Sequence, residues 1–242
     1  MRLVRVFLIL IGCICGGLGL FAQTALHNGN QKGVLYLGTQ PKPLDGRLDA
    51  WQGLEGISPE KNIYGASRAP GDPSAVFVLY SDNRKVYVYI EVVDSTANEN
   101  PLPAPVAWRN DSAELYLGVD TGLHDKYSRG DNRMRFVPVS KSDPNLCSIS
   151  INDRDVTKER DVKGHVVYTE KGYRIQASIP LRLLQISGFS VGQAIRCEYQ
   201  INDASVGERE NLLHWVSPKD NPYYDASVWG NGEVLAAPGA QP

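Results

Sequence analysis

The sequence predicts an all-β protein, a two-sheet antiparallel β-sandwich of jelly-roll or immunoglobulin-like type with one short helix. Three observations support this fold class. Apolar and polar residues alternate with a period of two along most of the chain, as expected for strands with one buried face. Clusters of Gly, Pro, Asn and Asp separate these short runs, and a helix-like pattern is confined to one segment.

The first two predicted strands span residues 75–80 and 85–93 and are joined by a Ser-Asp-Asn-Arg turn, which is typical of a hairpin. In the second strand Val86, Val88 and Ile90 share one face, and tyrosines occupy the other. The later predicted strands comprise residues 112–119, 133–139, 146–151, 166–168, 173–179 and 194–202. Pro180 opens the one helix-like segment, residues 181–186, which is about two turns long at most.

The first 22 residues resemble a secretory signal peptide. Arg2 and Arg5 form a positively charged start, residues 6–20 are almost wholly apolar or glycine, and Ala22 offers a small residue for cleavage. Residues 10–13 (LIGC) also resemble a lipobox, so a lipoprotein is the minor alternative. We therefore expect a secreted, periplasmic or cell-envelope protein.

After the signal peptide, residues 23–35 are predicted to be a flexible leader, and residues 36–237 a single domain without a linker-like break or internal repeat. The formal net charge of −2 becomes −4 once Arg2 and Arg5 are removed. The chain has no basic stripe, so its charge argues against nucleic-acid binding and is compatible with an uncharged ligand.

Cys147 and Cys197 are the cysteines that remain in the mature chain, and both lie in the apolar phase of predicted strands. An oxidising compartment would allow one disulfide between them. Two buried thiols that never meet are the equally weighted alternative, and the spacing matches no zinc site.

Several motifs occur in an ordered series over residues 44–235. They are LDGRLDAW at 44–51, VYIEVVD at 88–94, WRNDSAELYL at 108–117, GYRIQASIP at 172–180, QINDA at 200–204, Trp215, and Trp229-Gly230. This series resembles a family 9 carbohydrate-binding module, within the wider DOMON-like group of β-sandwiches.

The resemblance implies a calcium-supported sandwich that binds a small sugar or a polysaccharide end between two tryptophans, often in association with a glycan-degrading system. It assigns Trp108 as one tryptophan of the clamp and Glu114, six residues later, as a ligand contact. It further assigns Arg135 on the next strand, Asn202 at a strand end, and Trp215 as the second tryptophan.

The residues themselves are compatible with this assignment. A sugar needs flat apolar surfaces together with fixed donors and acceptors, which Trp, Glu and Arg supply. Alternation places Glu114, Arg135 and Asn202 on the polar faces of their strands. The alternative for Glu114 and Arg135 is a solvated cross-strand pair, and Trp215 could equally be a core residue.

The sequence favours binding over catalysis. Asp111 and Glu114 could act as a glycosidase pair, but three residues apart on a strand they project to opposite faces. Two non-enzymatic alternatives are a haem-binding DOMON-type domain using Met134, which alternation places in the core, and an envelope structural or adhesion module without a ligand. Acidic loops could supply oxygen ligands to a structural calcium, although none has an ordered calcium-loop spacing; they contain Asp120, Asp125 and Asp131.

Overall fold

The computed structural model describes residues 31–66, 69–97, 100, 102–143, 145–205 and 207–239. The predicted signal peptide and residues 23–30 of the predicted leader lie outside this part of the chain. The strands are β1 (Gly33–Leu37), β2 (Lys61–Tyr64), β3 (Ser74–Ser81), β4 (Lys85–Val93), β5 (Ser112–Gly118), β6 (Asn132–Pro138), β7 (Cys147–Ile151), β8 (Arg154–Asp155), β9 (Lys163–Thr169), β10 (Gly172–Pro180), β11 (Ala194–Ser205), β12 (Glu208–His214) and β13 (Gly230–Ala236). Short 3₁₀ turns occupy Asp49–Trp51, Ala104–Arg109, Leu181–Leu184 and Ala226–Val228.

The strands form one hydrogen-bonded sheet in the order β8-β7-β6-β5-β11-β13-β1-β3-β4-β10-β9, with β12 attached to β11 and β2 attached to β12. Most neighbours are antiparallel, but β1 pairs in parallel with both β13 and β3. The all-β prediction is therefore confirmed. Within the part of the chain that the structure describes, the strands do not separate into the two antiparallel sheets expected, because β1 joins the two layers into one curled sheet.

The two halves of this sheet face each other across the hydrophobic core. The ring centroids of Phe77 on β3 and Tyr199 on β11 lie 5.3 Å apart. At the other side of the core the Tyr168 hydroxyl of β9 donates to the Pro138 carbonyl of β6 at 3.1 Å. Met134 is completely buried in this core, as its position in the alternation predicts.

The turn between β3 and β4 shows how the sequence closes a hairpin. Asn83 adopts a left-handed conformation with φ of 62°, which asparagine tolerates better than most residues. Asp82 Oδ1 accepts the backbone N–H groups of Arg84 and Lys85 at 2.9 and 2.8 Å. This side chain therefore supplies the hydrogen bonds that a tight turn leaves open.

Three details differ from the sequence predictions or decide between their alternatives. The helix-like segment is a 3₁₀ turn, Leu181–Leu184, because Gln185 takes a left-handed conformation and ends it. β1 begins at Gly33, inside the stretch predicted to be a flexible leader. Cys147 and Cys197 are both free and buried, and burial raises the pKa of each thiol to about 12.

None of the helical segments in the described residues is long and apolar enough to cross a membrane.

Candidate functional site

A pocket of about 320 Å³ opens on the face of β5, β6 and β11 that points away from the core. Glu114, Tyr116, Arg133, Arg135 and Gln200 come from these strands, while the remaining lining side chains come from loops and from β12. These others are Pro105, Trp108, Asp153, Arg209, Asp220 and Tyr223. Charged groups thus form the floor, and aromatic side chains are available at the rim.

Glu114 is the centre of the floor. Direct pairing of β5 with β6 places it opposite Arg135, and Arg135 Nε donates to Glu114 Oε1 at 2.7 Å. The Tyr116 hydroxyl donates to Oε2 at 2.7 Å, and Asn202 Nδ2 donates to Oε1 at 3.0 Å. Both carboxylate oxygens therefore have fixed donors, and the side chain is held in one orientation.

The charge of Glu114 is stabilised despite burial. Burial alone opposes its ionisation, but the positive charges of Arg135 and Arg133 and the hydrogen bond from Tyr116 outweigh that effect. The pKa of Glu114 falls to about 2 as a result. Conversely, burial and the neighbouring Glu114 charge raise the pKa of Tyr116, so its hydroxyl stays a donor.

Asp153 holds the two arginines of β6 from the opposite side. It sits with Asn152 in the tight turn between β7 and β8, and both residues adopt positive φ, 66° and 49°. Its carboxylate contacts the Arg133 guanidinium, and Arg135 Nη1 donates to its Oδ1 at 3.3 Å. An Asn-Asp turn thereby places a carboxylate beside Arg133 and Arg135.

Two aromatic side chains at the rim each lie over an arginine of the pocket. Trp108, in the 3₁₀ turn Ala104–Arg109, is 39% exposed, and the Arg209 guanidinium lies 5.2 Å from its ring centroid. Tyr223 is 49% exposed, and the Arg133 guanidinium lies 6.0 Å from its ring centroid. Asp220 in turn holds Arg209 with an ion pair at 2.5 Å. Two different segments of the chain therefore each contribute one exposed aromatic ring to the rim of the pocket.

Trp215 does not reach the pocket, contrary to its predicted place as the second tryptophan of the clamp. It is 9% exposed, belongs to the hydrophobic core and contacts Tyr199 edge-on at 5.4 Å between centroids. The buried carboxylate of Glu198 accepts the backbone N–H groups of Trp215 and Ser217, both at 2.7 Å. This anchoring fixes the backbone at Trp215, and the chain that follows brings Tyr223 to the pocket instead.

The other four predicted residues are brought together. Trp108, Glu114 and Arg135 line the pocket, and Asn202 lies behind Glu114, where it positions the carboxylate. Three of these residues lie on the strand faces that point away from the core and are nevertheless buried: Glu114, Arg135 and Asn202 are 1%, 2% and 0% exposed. The alternative of a solvated Glu114–Arg135 pair is therefore wrong, because loops cover this face of the sheet.

Seven further polar or aromatic residues line the pocket and were not predicted as site residues: Tyr116, Arg133, Asp153, Gln200, Arg209, Asp220 and Tyr223. The Asn-Pro-Tyr-Tyr-Asp stretch at 221–225 was a usable signal, because paired tyrosines after a proline in a polar loop favour an exposed aromatic surface. Arg133 lies two residues before Arg135 on the same face of β6, which alternation alone would have shown.

Comparison with known proteins identifies the family. Residues 44–235 match the model described as carbohydrate family 9 binding domain-like. The chain belongs to this carbohydrate-binding family. Over 195 residues it is 25% identical to endo-1,4-beta-xylanase A of Thermotoga neapolitana, and equally to the enzyme of that name from Thermotoga maritima. The match covers 79% of this chain but 17% of either enzyme, so the chain spans about a sixth of these relatives.

Solved structures share the fold of this family 9 domain. A family 9 module from Caldicellulosiruptor kristjanssonii in complex with cellotriose gives a TM-score of 0.66 at 20% identity, covering 86% of this chain and 96% of that one. Its complex with glucose gives 0.65 at 20% identity, with 85% and 97% covered. A putative carbohydrate-binding protein from Bacteroides uniformis gives 0.53 at 12% identity, with 84% and 99% covered.

A second cluster in the family 9 domain consists of buried carboxylates. Asp94 follows β4, Asp111 directly precedes β5, and Asp203 lies near the end of β11. Each offers an oxygen within 4.8 Å of the others. The hydroxyl of the buried Tyr173 has no hydrogen-bond partner among the described residues, and the charges of Asp111 and Asp94 add to burial in raising its pKa. A hard oxygen donor set of this kind fits calcium.

The acidic loops suggested by the sequence do not form that cluster. Asp120 is exposed and accepts the Gly122 N–H, and Asp131 accepts the N–H and hydroxyl of Ser128. Asp111 and Glu114, considered as a glycosidase pair from the sequence, belong to different sites. The Asp111 carboxylate lies with Asp94 and Asp203, whereas Glu114 lines the pocket.

Proposed function

We propose that this chain binds carbohydrate without cleaving it, holding a sugar ring over Glu114 and Arg135 between the side chains of Trp108 and Tyr223. The observation that carries the proposal is the buried Glu114–Arg135 pair at the base of a pocket whose rim presents two exposed aromatic rings. Aromatic faces pack against the C–H faces of a sugar, and fixed charged groups accept and donate to its hydroxyls.

The polar floor is preorganised for a neutral ligand. Three arginines of the pocket each contact a carboxylate: Arg135 contacts Glu114, Arg133 contacts Asp153 and Arg209 contacts Asp220. Opposite charges are thus balanced within the pocket, which favours an uncharged ligand with many hydroxyls over an ionic one. Since the donors are already fixed, little side-chain entropy is lost when the sugar binds.

The state of Glu114 argues against glycoside hydrolysis. A glycosidase acid needs a raised pKa so that it carries a proton at working pH. Glu114 has the opposite shift, to about 2, so it carries no proton to donate to a leaving group at working pH, and its oxygens accept hydrogen bonds from Arg135, Tyr116 and Asn202. The two other carboxylates of the pocket, Asp153 and Asp220, are also paired with arginines. This arrangement supports binding alone.

Titration calorimetry of the purified protein tests the proposal. Glucose and cellotriose are the first probes, because similar modules have been solved with these sugars, followed by a broad glycan panel. Trp108→Ala should weaken binding at least tenfold, while Leu123→Ala, at an exposed residue outside the pocket, should not change it. A flat titration across the whole panel would contradict the proposal.

We also propose that Asp94, Asp111 and Asp203 hold a structural calcium ion. Support comes from their mutual proximity, their burial and the unpartnered Tyr173 hydroxyl beside them. Carboxylates packed this closely repel one another, and a divalent cation between them would replace that repulsion with attraction. Such an ion would tie the end of β4, the start of β5 and the end of β11 together.

We propose, finally, that the chain is exported and acts beside glycan-degrading enzymes. Support comes from the charged and apolar start of the sequence and from the similarity to part of two xylanases. Amino-terminal sequencing of the protein recovered from the cell envelope or the medium tests this, and should find a start near Gln23. An intact Met1 on cytoplasmic protein would contradict it.

A further inference from the structure

Tyr64 is an exposed aromatic residue outside the pocket. It ends β2, the strand that is attached to the sheet through β12, and 56% of its surface is accessible. β12 also carries Arg209, and the β2–β12 pairing places Tyr64 opposite Leu212. Gly65 lets the end of β2 approach β12 closely, because a Cβ there would lie 2.0 Å from the Glu210 carbonyl oxygen.

Arg209 connects Tyr64 to the rim of the pocket. Its guanidinium lies 5.9 Å from the Tyr64 ring centroid and 5.2 Å from that of Trp108. These two distances put the rings no more than about 11 Å apart. Asp220 holds the guanidinium at 2.5 Å, and Arg209 Nη1 donates to Asn202 Oδ1 at 3.3 Å. Arg209 therefore contacts both rings, and its own position is held by Asp220 and Asn202.

The loop that carries Trp108 is tied to the same strand. Arg109 forms an ion pair with Glu208, the first residue of β12. Trp108, Arg209 and Tyr64 thus belong to one continuous surface, which starts at the rim and leads away from the pocket. An exposed aromatic ring held beside a binding pocket offers a face for the next part of a bound ligand.

We infer that Tyr64 is an additional subsite, at which a later sugar ring of a chain anchored in the pocket packs against the tyrosine face. The inference rests on the proposed function and names its ligand class as an oligosaccharide or polysaccharide chain rather than a free monosaccharide. Its occupant is the part of that chain emerging past Trp108, because the surface is continuous with the rim.

The test compares glucose with cellotriose by titration calorimetry on the wild type, Tyr64→Ala and the matched control Tyr64→Phe, which keeps the ring. Tyr64→Ala should lower the ratio of cellotriose to glucose affinity about 3- to 10-fold, as expected for loss of one aromatic contact. Tyr64→Phe should keep the wild-type ratio. Unfolding curves of each variant confirm that the fold is intact.

Two outcomes overturn the subsite: a wild type that binds cellotriose no more tightly than glucose, or an affinity ratio that is the same in Tyr64→Ala as in the wild type. Failure of the proposed function has a different signature, since the wild type would then bind neither of these sugars nor any other member of the glycan panel. Trp108→Ala supplies the comparison, because its effect should extend to glucose as well as cellotriose.

Discussion

Arg135 donates its Nε–H to Glu114 Oε1 at 2.7 Å from the directly opposite position on the neighbouring strand, and both side chains are almost completely buried. A buried pair of this kind contributes little net stability over an apolar pair, because desolvation of the two charges offsets their attraction. Removal of either side chain nevertheless leaves the charge of the other buried without its main counter-charge. The pair therefore has consequences for both stability and pH dependence.

Removal of Arg135 alone should be strongly destabilising. Arg135→Ala leaves Glu114 charged and buried with its main counter-charge gone, which should lower the free energy of unfolding by about 3–5 kcal/mol. Arg154→Ala is the control, since Arg154 forms an exposed ion pair with Glu159 and its loss should change stability by less than about 1 kcal/mol. Urea denaturation measures both. Equal, small effects would show that Glu114 is not held as a buried charge.

Glu114 should also contribute to acid sensitivity. Its pKa in the folded protein, about 2, lies below the ordinary value of 4.5, so the folded state favours the charged form. The resulting stability is fully present above about pH 4.5 and is lost as pH falls towards 2. Glu114→Gln should flatten the stability profile in this window relative to the wild type. Parallel profiles for the two proteins would contradict a depressed pKa.

His214 should produce a second, separate pH window. It is completely buried on β12, neither ring nitrogen has a hydrogen-bond partner among the described residues, and burial lowers its pKa to about 4. Only the unfolded chain then binds a proton between about pH 6.5 and 4, so stability falls across that range by about 3 kcal/mol. His214→Leu removes the titrating group without removing a described hydrogen bond, and should abolish this slope. Thermal unfolding at several pH values measures it, and an unchanged slope would refute the assignment.

Calcium should raise the melting temperature. Binding at the proposed site of Asp94, Asp111 and Asp203 would stabilise the folded state by mass action, so added Ca²⁺ should increase Tm and a chelator should lower it. Asp203→Asn should abolish the calcium response, whereas Asp125→Asn, outside the cluster, should retain it. Differential scanning calorimetry with and without Ca²⁺ decides the matter. A Tm that does not respond to Ca²⁺ in the wild type would contradict the proposed site.

Much of the fold could be predicted from the sequence because alternation is a local signal. All eight predicted strands correspond to β3–β7 and β9–β11. The remaining strands, β1, β2, β8, β12 and β13, were not predicted. β8 has two residues, β2 is largely exposed and β12 begins with four consecutive polar residues, so these three show no clear alternation. The joining of the layers by β1 depends on parallel pairing between distant segments, which no local pattern encodes.

The candidate site divides in the same way. Glu114 and Arg135 are on regular strands, so the alternation of apolar and polar residues correctly placed both side chains on the face that points away from the core. Trp215 follows β12 directly, where strand phase gives no guidance, and its position depends on the remote carboxylate of Glu198. Tyr223 reaches the pocket for the same reason, since an irregular segment of chain carries it there. The hydrogen bonds that hold these segments come from remote residues: Glu198 accepts from Trp215, and the Pro222 carbonyl beside Tyr223 accepts from Tyr127 and Trp229.

Tryptophan fluorescence during sugar titration tests the central claim most directly. Trp108 is the exposed member of the four tryptophans, while Trp51, Trp215 and Trp229 are 0%, 9% and 3% exposed. If sugar packs on Trp108, cellotriose should change the emission of the wild type and protect it from acrylamide quenching. Trp108→Phe should lose both effects, and Trp215→Phe should keep them. A sugar-induced change that persists in Trp108→Phe and disappears in Trp215→Phe would contradict the account.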